Sequence, residues 1–310
     1  MKTVHLPQLQ RDVSLLGVGS DWFSPAGQHQ AFEMLDAYRA LGGNLVDTAQ
    51  VYGGGNAERT IGAWVAARGN RADVVILDKG CHCPPYEINH EAVHESITGC
   101  LQRLGADYLD LWAFHRDKPD EPVGPLVEAL NEEVAAGRIR AFGGSNWSAA
   151  RIAEANHYAE QRGLMGMAFS SPNLALAIPI EPFWPGCTHA TDEDIAWHAS
   201  SGVPLISWSS QSRGFFLDSS GPHNRSDKEL VRVYHNEENF EKLKRARELA
   251  KEKGVAPIQI ALAYVLNLPV TVIALIGPHN PQELASSAAA ADIELTRSEM
   301  NWLALRTQSR

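Results

Sequence analysis

Cysteine is scarce in this 310-residue chain, which has only Cys81, Cys83, Cys100 and Cys187. So few thiols imply no disulfide framework and favour a reducing, cytoplasmic setting. Long apolar runs are missing as well. None approaches the roughly 18 residues of a membrane helix. The opening MKTVHLPQLQRDVSLLG lacks the apolar core of a secretory leader. Positive charge is in deficit, with 27 Lys and Arg against 37 Asp and Glu and a formal net charge of −10. No basic stripe stands out, which argues against nucleic acid as a partner. Low-complexity tracts and linker-like runs are also absent, so residues 1–310 read as one domain.

What is present is alternation. Short apolar runs occupy residues 15–19, 44–47, 74–79, 108–115, 140–145, 166–170, 204–208 and 270–276. Their apolar, often β-branched character suits strands buried on both faces. Between them lie amphipathic stretches at 31–41, 92–104, 126–136, 148–161, 192–200 and 240–253. Gly42, Gly105, Gly137, Gly202 and Gly254 follow such stretches, where helices stop. Strict strand–helix alternation over this length predicts a closed (β/α)8 barrel. Residues 3–13 are expected to form a hairpin plugging the barrel bottom, and 297–305 to add a final helix. The competing open Rossmann-type sheet needs G-x-G-x-x-G after its first strand. Gly19-Ser20-Asp21-Trp22 does not supply it.

Chemistry in such a barrel sits at the C-terminal strand ends. There the second run ends in Asp47, with Tyr52 just beyond. The third ends in Lys79 and the fourth in His115. Taken singly, each has an ordinary structural use: Asp47 as a helix cap, Tyr52 as a packed ring, His115 as a satisfied core histidine. Lys79 is harder to dismiss, because an apolar strand end rarely buries a lysine without a partner. Four complementary titratable groups on one rim point to catalysis rather than packing.

The stretch from Asn44 through Asp47-Thr48-Ala49 to Tyr52-Gly53, followed by Glu58 and Gly62, resembles the signature of the aldo-keto reductase superfamily. So do Asp78-Lys79-Gly80, the run from Tyr108 into His115-Arg116-Asp117, Gly143-Gly144-Ser145-Asn146, Ile206-Ser207-Trp208-Ser209 and Ile276-Gly277-Pro278-His279. The resemblance spans roughly residues 12–303. It implies NAD(P)H-dependent reduction of an aldehyde or ketone, with Tyr52 as the acid and His115 orienting the carbonyl. A free tyrosine is a weak acid, with a pKa of about 10, and a nearby ammonium lowers it. Lys79 is expected to do so while Asp47 holds it in place.

The same resemblance assigns cofactor contacts to Gly19, Ser20, Asp47, Ser145, Asn146, Ser171, Trp208, Ser209, Gln211, Arg213, Gly214, Gly277, His279 and Ser287. Trp208 stands where the family stacks a tyrosine, and an indole face can do the same work. Ser171 replaces a usual glutamine. His279 replaces a frequent arginine, and Ser286-Ser287 an acidic–amide pair. Family frequency favours NADP(H) over NAD(H). No metal is expected.

Aromatic residues near the rim, Trp22, Phe23 and Trp147 among them, suggest a substrate that stacks, such as a sugar-like or cyclic ketone. Residues 177–190 and 218–234 read as long loops over the site, where specificity is usually set. Two other readings carry weight. One is a cofactor-sensing regulatory subunit with little turnover. The other places a metal or redox centre at Cys81-His82-Cys83, where three soft ligands adjoin the pocket.

Overall fold

The structure, a computed structural model, describes residues 1–310. The chain opens with an antiparallel hairpin, β1 (Thr3–Leu6) and β2 (Arg11–Ser14). Eight parallel strands follow: β3 (Leu16–Gly19), β4 (Leu45–Asp47), β5 (Val75–Gly80), β6 (Leu109–Phe114), β7 (Ile139–Ser145), β8 (Phe169–Ser171), β9 (Leu205–Ser207) and β10 (Val272–Ile276). Each pairs with the next, and β10 returns to β3, so the sheet closes on itself.

The helices form the outer layer. They are α1 (Gln28–Ala40), α2 (Asn56–Arg68), α3 (His90–Leu104), α4 (Val123–Ala135), α5 (Ala149–Arg162), α6 (Asp192–Ser201), α7 (Lys228–Tyr234), α8 (Glu237–Lys253), α9 (Pro257–Leu266), α10 (Pro281–Ala290) and α11 (Arg297–Leu303). Local chemistry sets their ends. The Asn89 side chain caps α3, Ser148 caps α5, and Thr191 with Asp194 forms a capping box on α6. Gly105, Gly163, Gly202 and Gly254 close their helices with left-handed φ values.

The barrel has two apolar layers. Leu45, Val75, Leu77, Leu111, Ala141, Phe169, Ile206 and Ile273 fill its interior. Leu6 and Val13 of the hairpin join them, so the hairpin closes the bottom as expected. Outward-facing strand residues such as Val46, Ile76, Trp112 and Phe142 pack under the helices. Apart from Arg140, every residue of β4 through β10 is buried, which is why these strands read as continuous apolar runs.

Periodicity marked six of the eleven helices, and the final helix was expected as a seventh. It missed α2, α9 and α10, and 218–234 ends in α7 rather than being loop throughout. The sixth barrel strand also starts later than read, at Phe169. None of these differences moves a strand end by more than one residue. Gly19, Asp47, Gly80, Phe114, Ser145, Ser171, Ser207 and Ile276 together ring one rim.

Candidate active site

Register brings the charged pair of the rim together. Asp47 ends β4 and Lys79 lies on the neighbouring β5. Both are almost fully buried, and the Lys79 ammonium donates to Asp47 Oδ1. Its Nζ also donates to the Thr48 carbonyl at 2.8 Å. Burial pushes the Asp47 carboxyl up, and the Lys79 charge opposes that rise. A buried lysine of this kind is tolerable because it is paired and hydrogen-bonded.

Tyr52 opens a short 3-10 turn, Tyr52–Gly55, whose Gly53, Gly54 and Gly55 all have positive φ. Those left-handed glycines let the chain turn sharply from the rim into α2. The Tyr52 ring centre lies 5.1 Å from Lys79 Nζ. It meets the His115 ring edge-on at 5.8 Å. His115 is held by its backbone N–H, which donates to the Gly80 carbonyl at 2.8 Å. No side-chain hydrogen bond engages its ring, and Nδ1 is buried without a partner. Burial and the Lys79 and Arg116 charges push its pKa well below the ordinary histidine range. The imidazole is therefore neutral, able to donate one hydrogen bond but carrying no charge.

The expected effect of Lys79 on Tyr52 needs correcting. Burial, Asp47 and Asp21 push the phenol well above its usual value. Burial, which penalises the phenolate, is the largest cause. The phenol thus holds its proton more firmly than a free tyrosine does.

Among the remaining expected residues, the structure brings most to one crescent of the rim. The Ser145 hydroxyl donates to the Ser171 carbonyl at 2.8 Å. Asn146, at φ 61, donates from Nδ2 to Ser145 Oγ and to the His115 carbonyl, and its Oδ1 accepts from the Thr188 amide. Gln211 and Ser287, from different turns, meet at 3.3 Å. Ser209, Ser212 and Arg213 all have positive φ, as does Gly214. Three non-glycine residues held left-handed in one short loop mark a place where strain is maintained. Arg213 is exposed and forms no ion pair. Its guanidinium lies 5.3 Å from the Phe183 ring and 5.4 Å from Trp184. His279 is exposed beside Trp22, with ring centres 5.3 Å apart.

Two expected substrate residues are corrected. Phe23 is buried in the outer core and packs edge-on against Trp22. Trp147 is buried too, stacked on Phe114 and donating from Nε1 to the Arg116 carbonyl. Neither presents a face to the site, whereas Trp22 and Trp208 remain partly open. Two further residues shape the site without having been anticipated. Buried Arg116 donates to the His115 carbonyl at 2.8 Å and to the Pro185 carbonyl at 3.2 Å, tying the 177–190 loop to the rim. Asn173 donates from Nδ2 to the Trp208 carbonyl, and its Oδ1 accepts from His189 Nδ1. The only signal for Arg116 was its place directly after His115.

The crescent also carries unmet polar groups. Ser20 Oγ, Trp22 Nε1, Ser171 Oγ and Trp208 Nε1 are buried without a hydrogen-bond partner in the protein. Such atoms are costly unless a ligand or water satisfies them. Gly277 has open space where a Cβ would stand. With exposed Arg213 nearby, these groups fit a large polar ligand with an anionic centre, as a nicotinamide dinucleotide is.

Comparison with known proteins agrees with this fit. The aldo/keto reductase family model matches residues 16–304. Norsolorinic acid reductase stcV of Emericella nidulans is 28% identical over 302 residues, covering 91% of this chain and 74% of that protein. An aryl-alcohol dehydrogenase of Pestalotiopsis microspora is 27% identical over 304 residues, covering 92% and 75%. A crystal structure of an aldo-keto reductase from Klebsiella pneumoniae in complex with NADPH aligns with a TM-score of 0.75. It is 25% identical, and the match covers 100% of this chain and 96% of that one. The chain belongs to the aldo/keto reductase family and is a nicotinamide-dependent oxidoreductase of that class.

Proposed function

We propose that this protein reduces the carbonyl of an aromatic aldehyde or ketone to the alcohol, with Tyr52 giving the proton. The observation that carries this reading is the set of four side chains on one rim: Tyr52, neutral His115, and the Lys79–Asp47 ion pair behind them. The nicotinamide, when bound, supplies the hydride. The carbonyl oxygen then becomes an alkoxide-like base strong enough to take even a firmly held phenolic proton. His115 donates a hydrogen bond to that oxygen and fixes its position. Lys79 faces the Tyr52 ring and stabilises the phenolate left behind, against the opposing carboxylate of Asp47.

Ser20, Ser171, Trp208 and Arg213 would hold the cofactor, with Ser145 and Asn146 shaping its floor. NADP(H) is the better-supported choice over NAD(H), because the Klebsiella relative was crystallised with NADPH. An aromatic substrate is favoured over a sugar by the name of the aryl-alcohol dehydrogenase relative and by the open faces of Trp22 and Trp208. A cofactor-sensing subunit with little turnover is disfavoured by the completeness of the Tyr52, Lys79, Asp47 and His115 set.

The test is steady-state oxidation of NADPH and of NADH with a panel of aryl and aliphatic carbonyls. Wild type should turn over aryl carbonyls. Tyr52→Phe should lose about 10²-fold or more in kcat, the usual scale for a lost general acid. It should still quench its tryptophan fluorescence on adding NADPH. Equal turnover in the two proteins would remove Tyr52 from the role.

A further inference from the structure

His82 is the middle residue of the Cys81-His82-Cys83 stretch that follows β5. The stretch does not gather as a metal centre. Cys81 is buried, and its Sγ points to the Ala92 carbonyl at 3.6 Å, towards α3. His82 turns the other way and meets the His115 ring at 4.9 Å, with the planes at 84°. It therefore stands beside the residue that holds the carbonyl oxygen, on the opposite flank from the nicotinamide crescent of Ser171 and Trp208.

The tautomer of His82 can be assigned from its partner. Nδ1 lies 2.8 Å from the Pro84 carbonyl oxygen. A carbonyl only accepts, so Nδ1 must carry the hydrogen, and in the neutral ring Nε2 must carry the lone pair. Nε2 has no hydrogen-bond partner in the protein. The residue is half-buried, yet this nitrogen is absent from the sealed polar atoms, so it reaches open space. A fixed, unengaged acceptor thus stands one ring's width from the oxyanion-binding histidine.

We infer that His82 is a specificity-determining residue, its Nε2 accepting a hydrogen bond from a hydroxyl on the aryl ring that bears the reacting carbonyl. The preferred substrates are then hydroxyaryl aldehydes or ketones. The inference rests on the carbonyl-reductase reading and narrows its substrate class. The chemistry discriminates sharply, because an acceptor rewards a hydroxyl but not a methoxy group of similar size. With the carbonyl oxygen on His115, a meta hydroxyl would be the substituent directed towards the neighbouring His82 ring, 4.9 Å away.

The experiment compares kcat/KM for benzaldehyde, 3-hydroxybenzaldehyde and 3-methoxybenzaldehyde in wild type, His82→Phe and His82→Gln. Wild type should prefer the hydroxy compound over both others by roughly three- to tenfold, the scale of one neutral hydrogen bond. His82→Phe should bring that ratio to about one. Any general change it makes to the site cancels, because the ratio is taken within one protein. His82→Gln, whose amide oxygen can still accept, should keep part of the preference. A preference unchanged in His82→Phe overturns the assignment, as does a wild type that treats all three alike. Wild type that turns over none of the three overturns the reductase reading, and this inference falls with it.

Discussion

Lys79 and Asp47 form an ion pair in which neither partner has appreciable contact with water, at the junction of β4 and β5. The Tyr52 phenol lies in the field of both. Burial contributes most to the raised pKa of the phenol, and the Asp47 carboxylate adds to it.

Replacing Asp47 with Asn should unbalance that arrangement. Tyr52 loses a carboxylate that opposes ionisation and keeps the Lys79 ammonium that favours it. Its pKa should fall from its raised position. The acid form is the active one for reduction, so the alkaline limb of the pH–rate profile should move to lower pH. The variant should also lose about 3 kcal/mol of stability, the scale for leaving one buried charge unpaired. The pH profile of kcat and urea denaturation check the two effects separately. An alkaline limb that stays in place would contradict the assigned field of Asp47.

A buried carboxyl pair lies behind the rim. Glu58 of α2, Asp78 of β5 and Cys100 of α3 bring their polar atoms within 4.8 Å of one another, all fully buried. Arg103 pairs with Glu58 at 2.5 Å. Asp78 Oδ1 accepts the Lys79 amide at 2.8 Å, but Oδ2 has no donor. A proton on Asp78, shared towards Glu58, resolves this. Burial and the Glu58 charge push the Asp78 pKa well above the usual carboxylate range.

The sign of the resulting pH dependence follows. The folded chain holds a proton that the unfolded chain releases near pH 4. Stability from this group is fully present below that pH and is lost as pH rises through the raised native value. Asp78→Asn carries a permanent donor in place of the proton and keeps an oxygen for the Lys79 amide. It should flatten that part of the curve and stabilise the protein at neutral to alkaline pH, by on the order of 1–2 kcal/mol. Urea midpoints for both proteins across pH 5 to 9 measure it. A destabilised variant at pH 8 would mean that Asp78 is ionised there.

Gly62 offers a purely steric case. A Cβ at this position in α2 would lie 2.1 Å from the Leu104 carbonyl oxygen and 2.7 Å from its carbon, both backbone of α3. No side-chain rotation relieves such a contact. Gly62→Ala should therefore lose about 2–3 kcal/mol despite the higher helix propensity of alanine. Thermal unfolding checks this, and an unchanged melting temperature would show that α2 and α3 can separate freely.

The barrel was legible because both-face burial leaves strands with little but apolar residues, and glycines punctuate the helices. The rim was legible because polar residues ending such runs have few other uses. What escaped had physical reasons. The α9 sequence PIQIALAYVL is apolar nearly all round, so it shows no polar face. The start of α2 is hidden behind three left-handed glycines that read as loop. Phe23 and Trp147 looked like rim aromatics because a sequence does not say which way a ring points after a strand. The acidity of Tyr52 was misjudged for a related reason: the sequence supplies the nearby charges, but not how far burial outweighs them. Arg116 and His82 each sit next to a recognised motif, and only their contacts separate them from ordinary neighbours.

The hairpin has one more effect. With Leu6 and Val13 set among the interior residues of the barrel, the lower end is sealed. The space between hairpin and rim is packed with side chains, so nothing passes through the barrel, and traffic of any ligand is confined to the face where Asp47 and Ser145 end their strands.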